Sequence, residues 1–145
     1  MKLYQRMKLL APCGLDCGVC ELYTCKDDPA LMDQLISRGI LKDMTHCPGC
    51  RAVKGHCPVL SEQCNTYNCV KSNNIDYCFE CEEFPCVTLH PAADQANTLP
   101  HNLKIYNLCQ LMNLGPESFI EMSIENKKRY FKGRIKVGRG PGNSC

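Results

Sequence analysis

The chain contains no uninterrupted apolar run long enough to cross a membrane. In its first twelve residues, MKLYQRMKLLAP, the cations Lys2, Arg6 and Lys8 break every apolar stretch. That rules out a signal-peptide core and points to the cytoplasm, with no membrane contact expected. No phosphate-cradling glycine loop, Walker pattern or serine nucleophile elbow is present, so the usual nucleotide and acyl-transfer chemistries have no anchor. No C-x-x-C is followed by histidine, which removes covalent haem attachment. Apolar material is also scarce where a core would need it. Between residues 47 and 86 only ten residues other than cysteine are apolar: Ala52, Val53, Val59, Leu60, Tyr67, Val70, Ile75, Tyr77, Phe79 and Phe84. Hydrophobic burial alone does not hold such a stretch together, so it requires staples.

The staples are visible. Twelve of the fourteen cysteines fall between residues 13 and 86, in tight clusters. Cys13, Cys17, Cys20 and Cys25 form C-x3-C-x2-C-x4-C, and Cys47 and Cys50 form C-x2-C, with Cys57 behind them. Cys64 and Cys69 form C-x4-C, and Cys78, Cys81 and Cys86 form C-x2-C-x4-C. Such spacings gather thiolates with almost no loop to close, as a four-ligand metal site requires. A reducing compartment keeps thiols free, and the pattern then reads as metal-binding rather than as disulfides. All twelve are therefore expected metal ligands. They suffice for three sets of four, and one or two sites with spare thiols also fit. Ligands from distant clusters often combine, so the pairing stays open.

Zinc, as one to three structural ions, suits four-thiolate sites and is redox-silent. A [4Fe–4S] cluster is the alternative, in a small redox or electron-transfer protein. The ferredoxin run C-x2-C-x2-C-x3-C-P is absent, however. Cys13, Cys17 and Cys20 match the C-x3-C-x2-C of radical S-adenosylmethionine enzymes, but 145 residues without alternating strands and helices do not make their barrel. Cys47-Pro48-Gly49-Cys50 has the form of a redox motif without the surrounding βαβ pattern. His46, His56, His90 and His101 read as loop histidines, with His46 and His56 beside cysteines. Asp16, Glu82 and Glu83 read as solvated charges. No set of residues assembles into a catalytic constellation, so the reading leans away from an enzyme.

The expected fold is small, metal-stabilised, mostly α and irregular, in a single domain over residues 1–145. Residues 13–90 are its cysteine-rich part. Asp28-Pro29 signals a short helix through Leu31, Leu35 and Ile36 that stops at Gly39. Residues 98–131 predict a helical hairpin. Thr98 and Pro100 start its first helix, with Ile105, Leu108, Cys109 and Met112 on one face. Gly115 ends that helix, and Pro116 begins a second, with Phe119, Ile120, Ser123 and Ile124 on one side. Residues 132–145 read as a flexible basic tail. Cys109 reads as a small buried hydrophobe and Cys145 as a free thiol.

Charge is uneven. Residues 127–145 carry seven basic residues and no acidic ones, while residues 1–126 carry ten basic against fifteen acidic, net −5. The tail pairs most simply with the acidic body. Nucleic acid is not an expected partner, because a basic tail is not a folded groove. A protein partner is compatible with this surface.

The motifs Pro12-Cys13-Gly14-Leu15-Asp16-Cys17, Cys47-Pro48-Gly49-Cys50-Arg51, Cys64-x4-Cys69 and Cys78-Phe79-Glu80-Cys81-Glu82-Glu83-Phe84-Pro85-Cys86, in that order, resemble an uncharacterised cysteine-rich family of bacteria and archaea. The stretch Leu99-Pro100-His101-Asn102-Leu103 is similar to a recurring piece of its C-terminal half. The resemblance spans roughly residues 10–115. It implies zinc-binding cysteines, a domain of unknown function and no assigned reaction. The expected function is thus a cytosolic metal-binding accessory or interaction protein.

Overall fold

A computed structural model describes residues 2–86, 89, 103–132, 134–136 and 140–142. Short helices and turns make up the first part. Helix α1 spans Leu3–Met7, α2 spans Glu21–Thr24, α3 spans Pro29–Ser37 and α4 spans Asn65–Ser72. Single 3₁₀ turns lie at Cys17–Val19, Cys25–Asp27 and Cys78–Glu80. A 30-residue helical segment, α5, covers Leu103–Lys132. Two three-residue strands, β1 (Arg134–Lys136) and β2 (Gly140–Gly142), pair antiparallel within the basic segment. Mostly helical and irregular is thus the fold class, as the residue pattern predicts.

Local chemistry explains the element boundaries. At α3 the Asp28 carboxylate accepts from the Leu31 amide at 3.1 Å, and Pro29 occupies the first turn, where its missing N–H matters least. Met32 and Leu35 are its buried residues, and its last turn closes at Gly39, whose φ is +70°. In α5 the backbone leaves helical geometry at Gly115 (φ 77°, ψ 167°), immediately before Pro116. The two halves are therefore separate helices, broken where glycine and proline predict. Both close over Leu10: Leu111 from the first half and Phe119 from the second form one cluster with it. The expected start signals Thr98 and Pro100 lie outside the described residues, as do His90, His101 and Cys145.

The buried face of α5 matches the predicted one only in part, at Leu108, Phe119 and Ser123. Leu103, Lys104, Asn107, Leu108 and Leu111 are buried, whereas Met112 and Ile124 are exposed and Cys109 is only half-buried. The reason is a close approach by a loop. Residues 9–11 fold back on residues 15–17 through Ala11 N–H to Leu15 O (2.8 Å) and Cys17 N–H to Leu9 O (2.9 Å). At the tip, Gly14 has φ +84°, and a Cβ there would stand 2.8 Å from Leu108 Cγ. Only glycine permits both the turn and the contact. Gly14 O also accepts from the buried Asn107 Nδ2 at 2.9 Å. Polar Asn107 thus faces inward because it meets backbone, and the apolar stripe alone did not show this.

Asp16 overturns another expectation. It is 7 % exposed rather than solvated. Both its oxygens accept from the Arg6 guanidinium, and it also accepts from the Gly18 amide (2.9 Å) and the Ser123 hydroxyl. One carboxylate therefore ties α1, the first cysteine loop and the second half of α5. Nearby, Lys127 pairs with Glu21 at 2.8 Å and donates to Val19 O, so the first cation of the basic segment does pair with the body.

Candidate metal centre

All the described cysteines, from Cys13 to Cys109, carry free thiols. The fold sorts them into neighbourhoods that cut across the sequence clusters. In the first, Cys25 and Cys47 are buried with Leu22, Met32, Leu35 and Leu41, and Cys20 and Cys57 pack against that group. The Cys47 amide donates to Leu22 O at 2.8 Å, which holds the second cysteine loop against α2. Cys57 stands apart in the sequence, yet it joins this nest.

Cys13, Cys17 and Cys50 belong to a different apolar group, built on Ala11, Leu89 and Leu108. The Cys50 amide donates to Cys17 Sγ at 3.3 Å. Cys64 caps the start of α4, and its charge would be felt at both Cys13 and Cys50. Cys78 and Cys86 flank the same group, and Cys78 lies within electrostatic reach of Cys69, Cys81 and Cys86. Cys69 is exposed, and Cys109 on α5 touches none of these neighbourhoods.

One backbone influence recurs at four of these thiols. The backbone N–H two residues further on draws the pKa down at Cys13 (from Leu15), Cys20 (from Leu22), Cys47 (from Gly49) and Cys57 (from Val59). Each such amide favours the thiolate over the thiol. Burial acts in the opposite direction and is the larger effect. It pushes Cys13, Cys20, Cys47 and Cys57 up, and it takes Cys50 and Cys78 to about 12. A thiol in that range is only about one part in 10⁵ ionised at neutral pH, so these cysteines are poor free nucleophiles. A bound cation deprotonates a coordinating thiol outright, and the amides then stabilise the anion it holds.

Lys104 adds a second sign of anionic chemistry. It is 2 % exposed, and its charge is the leading influence that draws the Cys13 pKa back down against burial. A buried ammonium is tolerated only opposite negative charge. Four thiolates around a divalent ion carry about −2 and would supply it. No periodic signal in the sequence marks Lys104, because it lies on what should be an apolar helix face.

Arg51, directly after Cys50, clamps the loops. Its guanidinium donates to Leu10 O (2.7 Å) and Asp76 O (2.9 Å) and lies over the Tyr77 ring, 4.9 Å from its centre. The histidines contribute less. His46 meets the Tyr23 ring edge-on at 5.7 Å, and His56 is exposed. Among the described residues, no three Cys, His, Asp or Glu side chains converge as a finished ion cage. The thiols are gathered without being closed on a point. Their donor chemistry, free state and gathering into apolar nests fit a thiolate-bound metal. No helix among the described residues is long and apolar enough to cross a membrane.

The model of a family of proteins of unknown function, DUF3795, matches residues 9–91, and the chain belongs to that family. No curated protein matches it. No solved structure matches it. The matched segment contains all twelve clustered cysteines and ends before α5.

Proposed function

We propose that this member of the DUF3795 family is a cytosolic zinc protein whose clustered thiolates hold the metal as a structural element, and that it acts as an accessory or interaction protein rather than an enzyme. The observation that carries this reading is the gathering of Cys20, Cys25, Cys47 and Cys57, all free thiols from two separate loops, on one apolar nest. A cysteine serving only as a small hydrophobe has no need of that arrangement. When bound, zinc supplies a redox-silent, four-coordinate anchor. The chain's own residues position the sulfurs, exclude water with the Leu22, Met32, Leu35 and Leu41 nest, and offset charge through Lys104.

The energetic consequence is large. One structural zinc contributes roughly 10–16 kcal/mol of apparent binding free energy. The net stability of a whole domain is only about 5–15 kcal/mol. Metal removal is therefore expected to unfold the cysteine-rich part. The test is elemental analysis with a visible spectrum on protein purified without air. Colourless protein with stoichiometric zinc, and loss of helical circular dichroism on chelation, is the expected result. Brown protein with iron and acid-labile sulfide would overturn the zinc reading. Metal-free protein that keeps its fold would overturn the metal reading altogether.

A further inference from the structure

The short-range cysteine pairs invite the view that each C-x2-C grips one ion. The fold points elsewhere. Within Cys17-x2-Cys20, Cys17 faces the group of Cys13 and Cys50, while Cys20 packs against the nest of Cys25 and Cys47. Within Cys47-x2-Cys50 the same split recurs: Cys47 is buried in the α2–α3 nest, and Cys50 lies with Cys13 and Cys17. The two splits match each other across the interface. The Cys50 amide donates to Cys17 Sγ at 3.3 Å, and the Cys47 amide donates to Leu22 O at 2.8 Å, beside Cys20.

We infer that the Cys17/Cys20 and Cys47/Cys50 pairs are divided between two adjacent metal sites, and that Cys20, Cys25, Cys47 and Cys57 form one closed four-thiolate zinc site. This rests on the zinc reading above and adds the assignment of ligands. Three observations support the set. All four side chains belong to one apolar nest around Leu22, Met32, Leu35 and Leu41. Leu22 O accepts from both the Cys47 amide at 2.8 Å and the Cys25 thiol at 3.4 Å, which leaves the Cys25 proton to be displaced by metal. Cys47 lies within electrostatic reach of Cys20, Cys25 and Cys57, and Cys20 of Cys57. Cys57 also lies within reach of Cys13 and Cys64, so the two sites are neighbours. Four protein thiolates leave no open position, which makes this site structural rather than catalytic.

Crossed ligation has a mechanical purpose. Each two-residue span becomes a rigid strut between two ions, so the loops at 13–25 and 47–57 lock together rather than forming separate knuckles. The test uses the full-length zinc-loaded chain. A chelator strips the metal slowly while pulses of iodoacetamide label released thiols, and mass spectrometry maps each pulse. Cys20, Cys25, Cys47 and Cys57 are expected to be labelled in one kinetic phase, with Cys17 and Cys50 in another. Zinc content gives an independent measure. Cys20→Ser with Cys47→Ser is expected to lose about one equivalent, and Cys47→Ser with Cys50→Ser about two. Zinc-loaded protein that labels Cys47 and Cys50 in the same phase overturns the division and leaves the zinc reading intact. A chain that takes up no zinc at all overturns both.

Discussion

Replacing Asp16 by Asn keeps the shape of the side chain and removes its charge. In the folded chain the Asp16 side chain is 2 % exposed and the Arg6 side chain 14 %. The carboxylate accepts two bonds from Arg6, one from the Gly18 amide and one from the Ser123 hydroxyl. An amide offers a single acceptor oxygen and turns an N–H₂ toward donors. Breaking a buried ion pair from one side costs about 3–5 kcal/mol, because the remaining charge stays buried. Arg6 is slightly exposed and regains some water, so the lower end, about 3 kcal/mol, is expected. That corresponds to about a hundredfold in the folding equilibrium and a fall of about 10 °C in melting temperature. The assay is urea unfolding of the zinc-loaded protein, followed by circular dichroism. Ser123→Ala is the milder companion, expected to lose about 1.5–3 kcal/mol as a bond to a charged group. The double variant should lose less than the sum, since both act on one carboxylate. Zinc content should be unchanged, because Asp16 braces the loop and does not ligate. A loss below about 0.5 kcal/mol, typical of an ordinary surface change, would refute the buried network. Loss of a zinc equivalent in folded Asp16→Asn would refute its purely bracing role.

Gly14→Ala should destabilise the chain by about 2–4 kcal/mol, combining left-handed backbone strain with overpacking. The cause is φ +84° with Leu108 Cγ only 2.8 Å from the added methyl, and urea unfolding measures the loss. Lys104→Met should speed zinc loss to a chelator from the Cys13 group while leaving the release phase of Cys20 and Cys47 unchanged, as followed by thiol labelling. Cys109→Ser should leave zinc content at the wild-type value, since this half-buried helix thiol belongs to neither cysteine nest. Elemental analysis checks it.

Much of the fold is legible in the residue pattern. Asp28-Pro29 and Gly39 bound α3, and Gly115-Pro116 breaks α5, because capping and backbone restriction act over a few residues. The buried face of α5 was less legible. Cys109 and Met112 follow helical spacing, yet the packed face runs through Lys104, Asn107 and Leu111. Periodicity reports apolar residues, whereas this face is selected by the Gly14 loop, whose carbonyl takes the Asn107 amide. Arg6 and Asp16 are ten residues apart, and Asp16 and Ser123 are 107 apart, so no local pattern could join them.

By itself the amino-acid sequence determined the donor type, the number of clustered thiols and the regions where the chain turns. Those properties reside in residue identity and short spacing. Only the tertiary structure decided which thiols are neighbours. Cys47 and Cys50 are separated by two residues, yet they face different nests. Two intervening residues let a pair of sulfurs face together or apart, and the packing of α2 and α3 on one side, and of the Gly14 loop and α5 on the other, chooses which sulfur goes where.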